Sequence, residues 1–194
     1  MKTILALGSH FDDVEMGCGG TLVKHATNGD RVLIAITNSD DNLAGDIAIR
    51  REEQISACFL YGATFSLYKS SDPEHYIIKE LDCLSPDILF IHFDKDTHQH
   101  HVRASRIGMS VGRKKNISAF FYDGGSSYDF HPNVFSIISM KKKLELVNCF
   151  KSQIDRGTIK INLMKKKEAY WGSLISNEDV YAEGFIGSKL MYAT

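Results

Sequence analysis

The sequence predicts a three-layer α/β fold, a Rossmann-like sandwich whose mostly parallel sheet carries helices on both faces. Two observations lead there. Strand-sized apolar runs alternate with amphipathic stretches from Thr3 to Tyr122, and the strand runs are almost continuously apolar, as strands buried on both faces must be.

Taken in order, Thr3 to Gly8 (TILALG) reads as the first strand, followed by a Gly-rich turn and a helix over Thr21 to Thr27. Arg31 to Asn38 is a second strand, and Asp46 to Tyr61 a helix stopped by Gly62. Thr64 to Tyr68 is a short strand, Glu74 to Leu84 a helix ending before Pro86, and Asp87 to Phe93 (DILFIHF) a fourth strand. A helix from His98 to Gly112 and a strand from Ile117 to Tyr122 complete the alternation. Asp123 to Asn133 is a Gly/Ser/aromatic loop long enough to act as a lid over a site. Met140 to Gln153 reads as one helix, and Lys160 to Thr194 as a further helix with a terminal strand around Ala182 to Ile186. The lysine triplets at 141–143 and 165–167 read as solvated helix faces. Residues 1–194 are expected to form a single domain.

Composition narrows the function classes. Lys+Arg 23 against Asp+Glu 24 leaves a net charge of −1, without the electrostatic footprint of a nucleic-acid binder or a polybasic membrane anchor. No apolar run approaches the ~20 residues of a membrane-spanning helix, so no membrane span is expected. The four cysteines are scattered without a CxxC pair, which suits a reducing, cytoplasmic setting. Nothing in the pattern sets an oligomeric state.

Two segments carry the chemistry: Gly8-Ser-His10-Phe-Asp12-Asp13-Val-Glu15, running on through Met-Gly17-Cys-Gly19-Gly20-Thr21, and Asp94-Lys-Asp96-Thr-His98-Gln-His100-His101. The first places a histidine and two carboxylates directly after a strand. The second puts His98 and His101 three apart at a helix start, facing the same way, with His100 pointing elsewhere. In a doubly wound sheet of order 3-2-1-4-5, strands one and four are neighbours, and ligands bind beyond their carboxyl ends. Both clusters therefore meet at one crevice. Taken singly, a histidine ending a strand is a satisfied polar residue and Asp-Asp before a helix is a cap. Jointly, two imidazoles and a carboxylate make a catalytic zinc set, with one Asp left over to accept a proton; spacing does not say which.

At this point the sequence resembles the LmbE/PIG-L family of metal-dependent de-N-acetylases. The family's A-H-P-D-D-x-E motif is matched by Ser9-His10-Phe11-Asp12-Asp13-Val14-Glu15 apart from the alanine and proline, and H-x-D-H by His98-Gln99-His100-His101 with one departure. Arg50-x-x-Glu53-x-x-x-Ala57, Lys151-Ser152-Gln153 and Ala182-Glu183-Gly184-Phe185 extend the similarity along nearly the whole chain. The resemblance implies that His10, Asp13 and His101 bind Zn²⁺ or another divalent metal, Asp12 is the general base, and His98 stabilises the oxyanion and assists the leaving amine. It also implies that Arg50 contacts substrate, and that the substrate is a small N-acetylated sugar of the N-acetylglucosamine type, losing its acetyl group.

His100 stands where the family has an Asp able to orient the neighbouring histidines, and Asp94 or Asp96 is expected to substitute for it. The competing expectation is a non-catalytic ligand-binding protein of the same fold, or a nucleotide binder using the Gly17 to Gly20 turn. That segment lacks G-x-G-x-x-G and reads as a tight strand-to-helix turn.

Overall fold

The computed structural model describes residues 1–114 and 116–191. A seven-stranded sheet runs in the order β3-β2-β1-β4-β5-β7-β6. Its strands are β1 (Thr3–Gly8), β2 (Arg31–Ile36), β3 (Thr64–Leu67), β4 (Ile88–His92), β5 (Ser118–Tyr122), β6 (Val134–Ile138) and β7 (Tyr181–Lys189). The first five are parallel, in the predicted order 3-2-1-4-5, and β7 and β6 add to β5 antiparallel. The helices are α1 (Asp13–Thr27), α2 (Ile47–Tyr61), α3 (Glu74–Cys83), α4 (Gln99–Gly112), α5 (Met140–Val147), α6 (Lys151–Asp155) and α7 (Ile161–Ser173).

The two-residue period of β1 divides the core. Ile4 and Ala6 pack with Leu22 of α1 and Val147 of α5 on one face, whereas Leu5 and Leu7 pack with Ile77 of α3 and Ile107 of α4 on the other. Both faces of the central strands are thus covered, giving the three-layer α/β fold. Among the described residues, no helix is long and apolar enough to cross a membrane, and all four cysteines are free thiols.

Several sequence expectations need correction. Gly17, Gly19 and Gly20 are not a turn but the interior of α1, which begins eight residues before Thr21. A Cβ on Gly17 would lie 2.2 Å from the Tyr122 ring, and one on Gly20 would lie 2.8 Å from Ile138. The glycines therefore bring α1 close to the sheet, and the nucleotide-binding alternative has no loop to rest on.

The segment Met140 to Gln153 is two helices, because Phe150 turns fully into the core between them. Strand β6 was not anticipated; it is a half-exposed edge strand of five residues. Lys143, expected on a solvated face, is completely buried. Its ammonium group donates to Glu183 at 2.7 Å, to the Met16 carbonyl at 2.8 Å and to Glu168.

Candidate active site

Parallel pairing sets β1 beside both β2 and β4, so the segments leaving these strands share one crevice. They border a cavity of about 780 Å³ whose walls include His10, Asp12, Asp13, Asp41, His98 and His101. The cavity is completed by Arg156 and Lys167 from the C-terminal part of the chain.

Asp12 precedes α1 with φ +94°, a left-handed backbone that is strained for a residue with a Cβ. Although it occupies the cap position, its side chain makes no capping hydrogen bond, so the carboxylate is not spent on the helix. Burial pushes its pKa well above the usual carboxylate range, and repulsion from Asp13 adds to this, against the pull of Arg50. Arg50, on α2, is 3% exposed. Its Nη2 donates to the Phe11 carbonyl at 2.9 Å and lies 3.7 Å from Asp12 Oδ2. The residue expected to contact substrate thus borders the cavity while gripping the Phe11–Asp12 backbone and carboxylate.

Asp13 is bound into the opposite arrangement. Its Oδ2 accepts the backbone N–H groups of Ser9 at 2.9 Å and His10 at 2.8 Å, and lies 3.5 Å from His10 Nδ1. Its Oδ1 lies 3.7 Å from His101 Nε2. Burial alone would raise its pKa, but His101, His92 and the hydrogen bonds from His10 and His92 hold it well below the usual range. Adjacent carboxylates thus have opposite characters, one free and easily protonated, the other fixed and anionic.

His98 caps α4, its Nδ1 accepting the His100 N–H at 3.2 Å. Its ring stacks on His101 with centroids 4.5 Å apart and planes 12° apart, so the predicted shared orientation is present. Burial, then repulsion from His101, His10 and His100, lowers its pKa.

His101 is backed by Asp96, whose Oδ2 lies 3.0 Å from its Nδ1. Burial would lower the His101 pKa, yet Asp13 and Asp96 outweigh it and raise it. Asp96, rather than the exposed Asp94, supplies the carboxylate missing at position 100. It is fixed by the His98 N–H at 2.8 Å and Ser126 Oγ at 2.5 Å. The loop carrying Ser126 is therefore pinned to the site as a wall. Gly124 approaches so closely that a Cβ there would lie 2.7 Å from both His101 Nδ1 and His92 Nδ1.

One orientation differs from expectation. His100 does not point elsewhere: its Nδ1 lies 2.9 Å from His10 Nε2 and 3.4 Å from Asp41 Oδ2. The cap residue His98 is extended, so the regular 100° advance that would turn His100 away does not apply across the first helical turn.

Two residues of the site were not found from sequence. His92 ends β4, its Nε2 3.1 Å from Asp13 Oδ2 and its ring stacked 4.1 Å from that of His101. Asp41 follows β2, its Oδ2 3.2 Å from His10 Nε2. The signal for both was topological, since each lies just beyond or at the carboxyl end of a strand flanking β1.

Among the described residues, three sets have donor atoms all within 4.8 Å of one another: His10–His98–His101, His10–Asp41–His100 and Asp13–His92–His101. The trio expected from sequence, His10, Asp13 and His101, spans the first and third. Asp13 presents one oxygen toward each imidazole. Two imidazoles, an anionic carboxylate between them and a carboxylate behind His101 are a donor set that suits a divalent zinc-class cation.

The family model described as PIG-L, GlcNAc-PI de-N-acetylase, matches residues 5–111, more than half the chain and both motif segments. The chain belongs to the PIG-L family. A curated relative, the uncharacterized deacetylase YaiS of Escherichia coli K12, is 26% identical over 153 residues, covering 71% of this chain and 82% of that protein. The N,N'-diacetylchitobiose deacetylase of Pyrococcus horikoshii superposes with a TM-score of 0.79 at 21% identity, over 95% of this chain and 82% of that one. GalB, the 4-carboxy-2-hydroxymuconate hydratase of Pseudomonas putida KT2440, superposes with a TM-score of 0.81 at 16% identity, over 100% and 99%. Structural likeness at these identities establishes the fold. PIG-L membership, not the fold, points to deacetylase chemistry.

Proposed function

We propose that this PIG-L protein is a divalent-metal-dependent hydrolase that removes the acetyl group from an N-acetylated amino sugar of the N-acetylglucosamine type or its conjugate. The observation that carries the reading is the pairing of Asp12 and Asp13: one carboxylate free of capping with a raised pKa, its neighbour fixed and anionic between two histidines. His10, Asp13 and His101 are the residues that would hold the metal. Bound there, Zn²⁺ or a similar cation supplies Lewis acidity to polarise a carbonyl and make water a better nucleophile.

The chain's own groups do the rest. Asp12 accepts the proton of the attacking water, and its raised pKa lets it pass that proton onward. Arg50 acts as a positioning residue, holding the Phe11 carbonyl and facing the Asp12 carboxylate across the cavity edge. Asp96 keeps His101 in the tautomer that leaves Nε2 toward the cavity. His98 donates a hydrogen bond to the developing oxyanion and assists the departing amine, which takes up the proton that Asp12 received from water. Water adds to the acetyl carbonyl, the carbon–nitrogen bond breaks, and acetate and the free amino sugar leave.

Asp12→Asn in the metal-loaded protein tests this division of labour. It is expected to keep its metal content and lose hydrolysis by about 10²–10⁴-fold. Near-normal turnover in the variant would remove Asp12 from the mechanism.

A further inference from the structure

The cavity holds a second cluster of metal-ligating groups that shares only His10 with the proposed catalytic set. His10 Nε2, Asp41 Oδ2 and His100 Nδ1 converge on one point, separated by 2.9 Å (His10–His100), 3.2 Å (His10–Asp41) and 3.4 Å (His100–Asp41). All three residues line the cavity. We propose that this trio is a second divalent-cation position, of zinc-class donor chemistry, built on the face of His10 opposite Asp13.

Ligand atoms at about 2.0–2.1 Å from a tetrahedral ion lie about 3.3–3.4 Å from one another, and two of the three edges are within about 0.2 Å of that value. A proton accounts for this triangle poorly. Each proton serves one edge, whereas two imidazole nitrogens and a carboxylate oxygen all face inward. A cation serves all three edges at once.

The donors are also separately anchored. Asp41 Oδ1 accepts the Leu43 N–H at 2.9 Å, leaving Oδ2 for the trio. His100 is carried by the first turn of α4, and His10 has its other nitrogen, Nδ1, turned to Asp13 at 3.5 Å.

His10 accordingly belongs to both positions, one nitrogen to each. Filling both makes it an imidazolate bridge, its remaining ring proton passing to solvent, so the second ion binds more weakly than the first. The residue that creates the position is His100, the histidine standing where the family motif has an Asp. The inference shares His10 with the proposed catalytic set but rests on separate donors, Asp41 and His100.

Titration of the metal-free full chain with Co²⁺, followed by visible absorption and by calorimetry, separates the two. The wild type is expected to take up two equivalents, a tight one and a weaker one. His100→Ala, at a partly exposed helical position, is expected to retain the tight equivalent and lose the weaker. Asp41→Asn checks that loss with a variant outside α4. His101→Ala is expected to lose the tight equivalent. A single equivalent in the wild type, or two undiminished equivalents in His100→Ala, overturns the second position. Survival of the tight equivalent in His101→Ala would instead overturn the catalytic set, so the two failures are distinguishable.

Discussion

At the scale of single residues, the site works by giving like groups unlike surroundings. Asp96 and Asp12 are both buried carboxylates, but Asp96 is surrounded by donors from His101, Ser126 and the His98 backbone, which hold its pKa well down against the effect of burial. Asp96→Asn removes the anion behind His101 and is expected to weaken metal affinity about 10–100-fold, measured by chelator competition, with turnover recovering at saturating metal. His98→Asn keeps a side-chain acceptor for the α4 cap while removing the imidazole. It is expected to retain metal and lose about 10²–10³-fold in kcat. The family residue at position 100 has little left to add at His101, because Asp96 already occupies that ring's second nitrogen.

At the scale of elements, the close approach of α1 to the sheet sets where His10, Asp12 and Asp13 stand. Gly17 allows it, leaving room for the Tyr122 ring, whose hydroxyl donates to the Leu7 carbonyl of β1 at 2.6 Å. Alanine is a better helix former than glycine by about 1 kcal/mol, so a free helix would gain from Gly17→Ala. Here the added carbon meets a fully buried ring, and a net destabilisation of about 1–3 kcal/mol is expected from denaturant unfolding.

The parallel order of β1 to β5 was legible because each buried strand is an uninterrupted apolar run, and the meeting of the two motif segments follows from that order. The interior of α1 was not legible, because three glycines within a helix look like a turn until the partner surface is known. His92 and Asp41 were hidden for a related reason. One ends a strand and the other sits in a polar loop, and only strand adjacency turns them toward His10 and Asp13. The role of Lys143 escaped a reading of charge runs, since its two lysine neighbours are exposed and its own partners lie on α1, α7 and β7.

At the scale of the whole molecule, that lysine joins three distant parts of the chain. It links α5 to Glu168 of α7 and Glu183 of β7, and Glu183 in turn accepts the N–H groups of Gly20 and Thr21 of α1, each at 2.8 Å. Lys143→Met leaves two buried carboxylates without their cation and is expected to cost about 3–5 kcal/mol. Burial would lower the Lys143 pKa, but Glu183 and Glu168 outweigh it and raise it above the usual value of 10.5. The folded state therefore holds this proton more tightly than the unfolded one. Its stabilisation is complete below pH 10.5 and is lost as pH rises through the folded-state pKa. Thermal unfolding of the wild type is expected to show that alkaline loss, and Lys143→Met, already destabilised, is expected to lack this component.

The central claim, that the crevice between the two motif segments is the active centre of a metal-dependent de-N-acetylase, is tested most directly by measuring acetate. The metal-loaded chain is incubated with a panel of N-acetylated amino sugars and their conjugates, before and after chelation. The account predicts many turnovers on at least one member, with one free amine formed per acetate and activity abolished by the chelator and restored by added metal. Acetate release that continues undiminished without metal, or none from any member while metal occupies His10, Asp13 and His101, would contradict it.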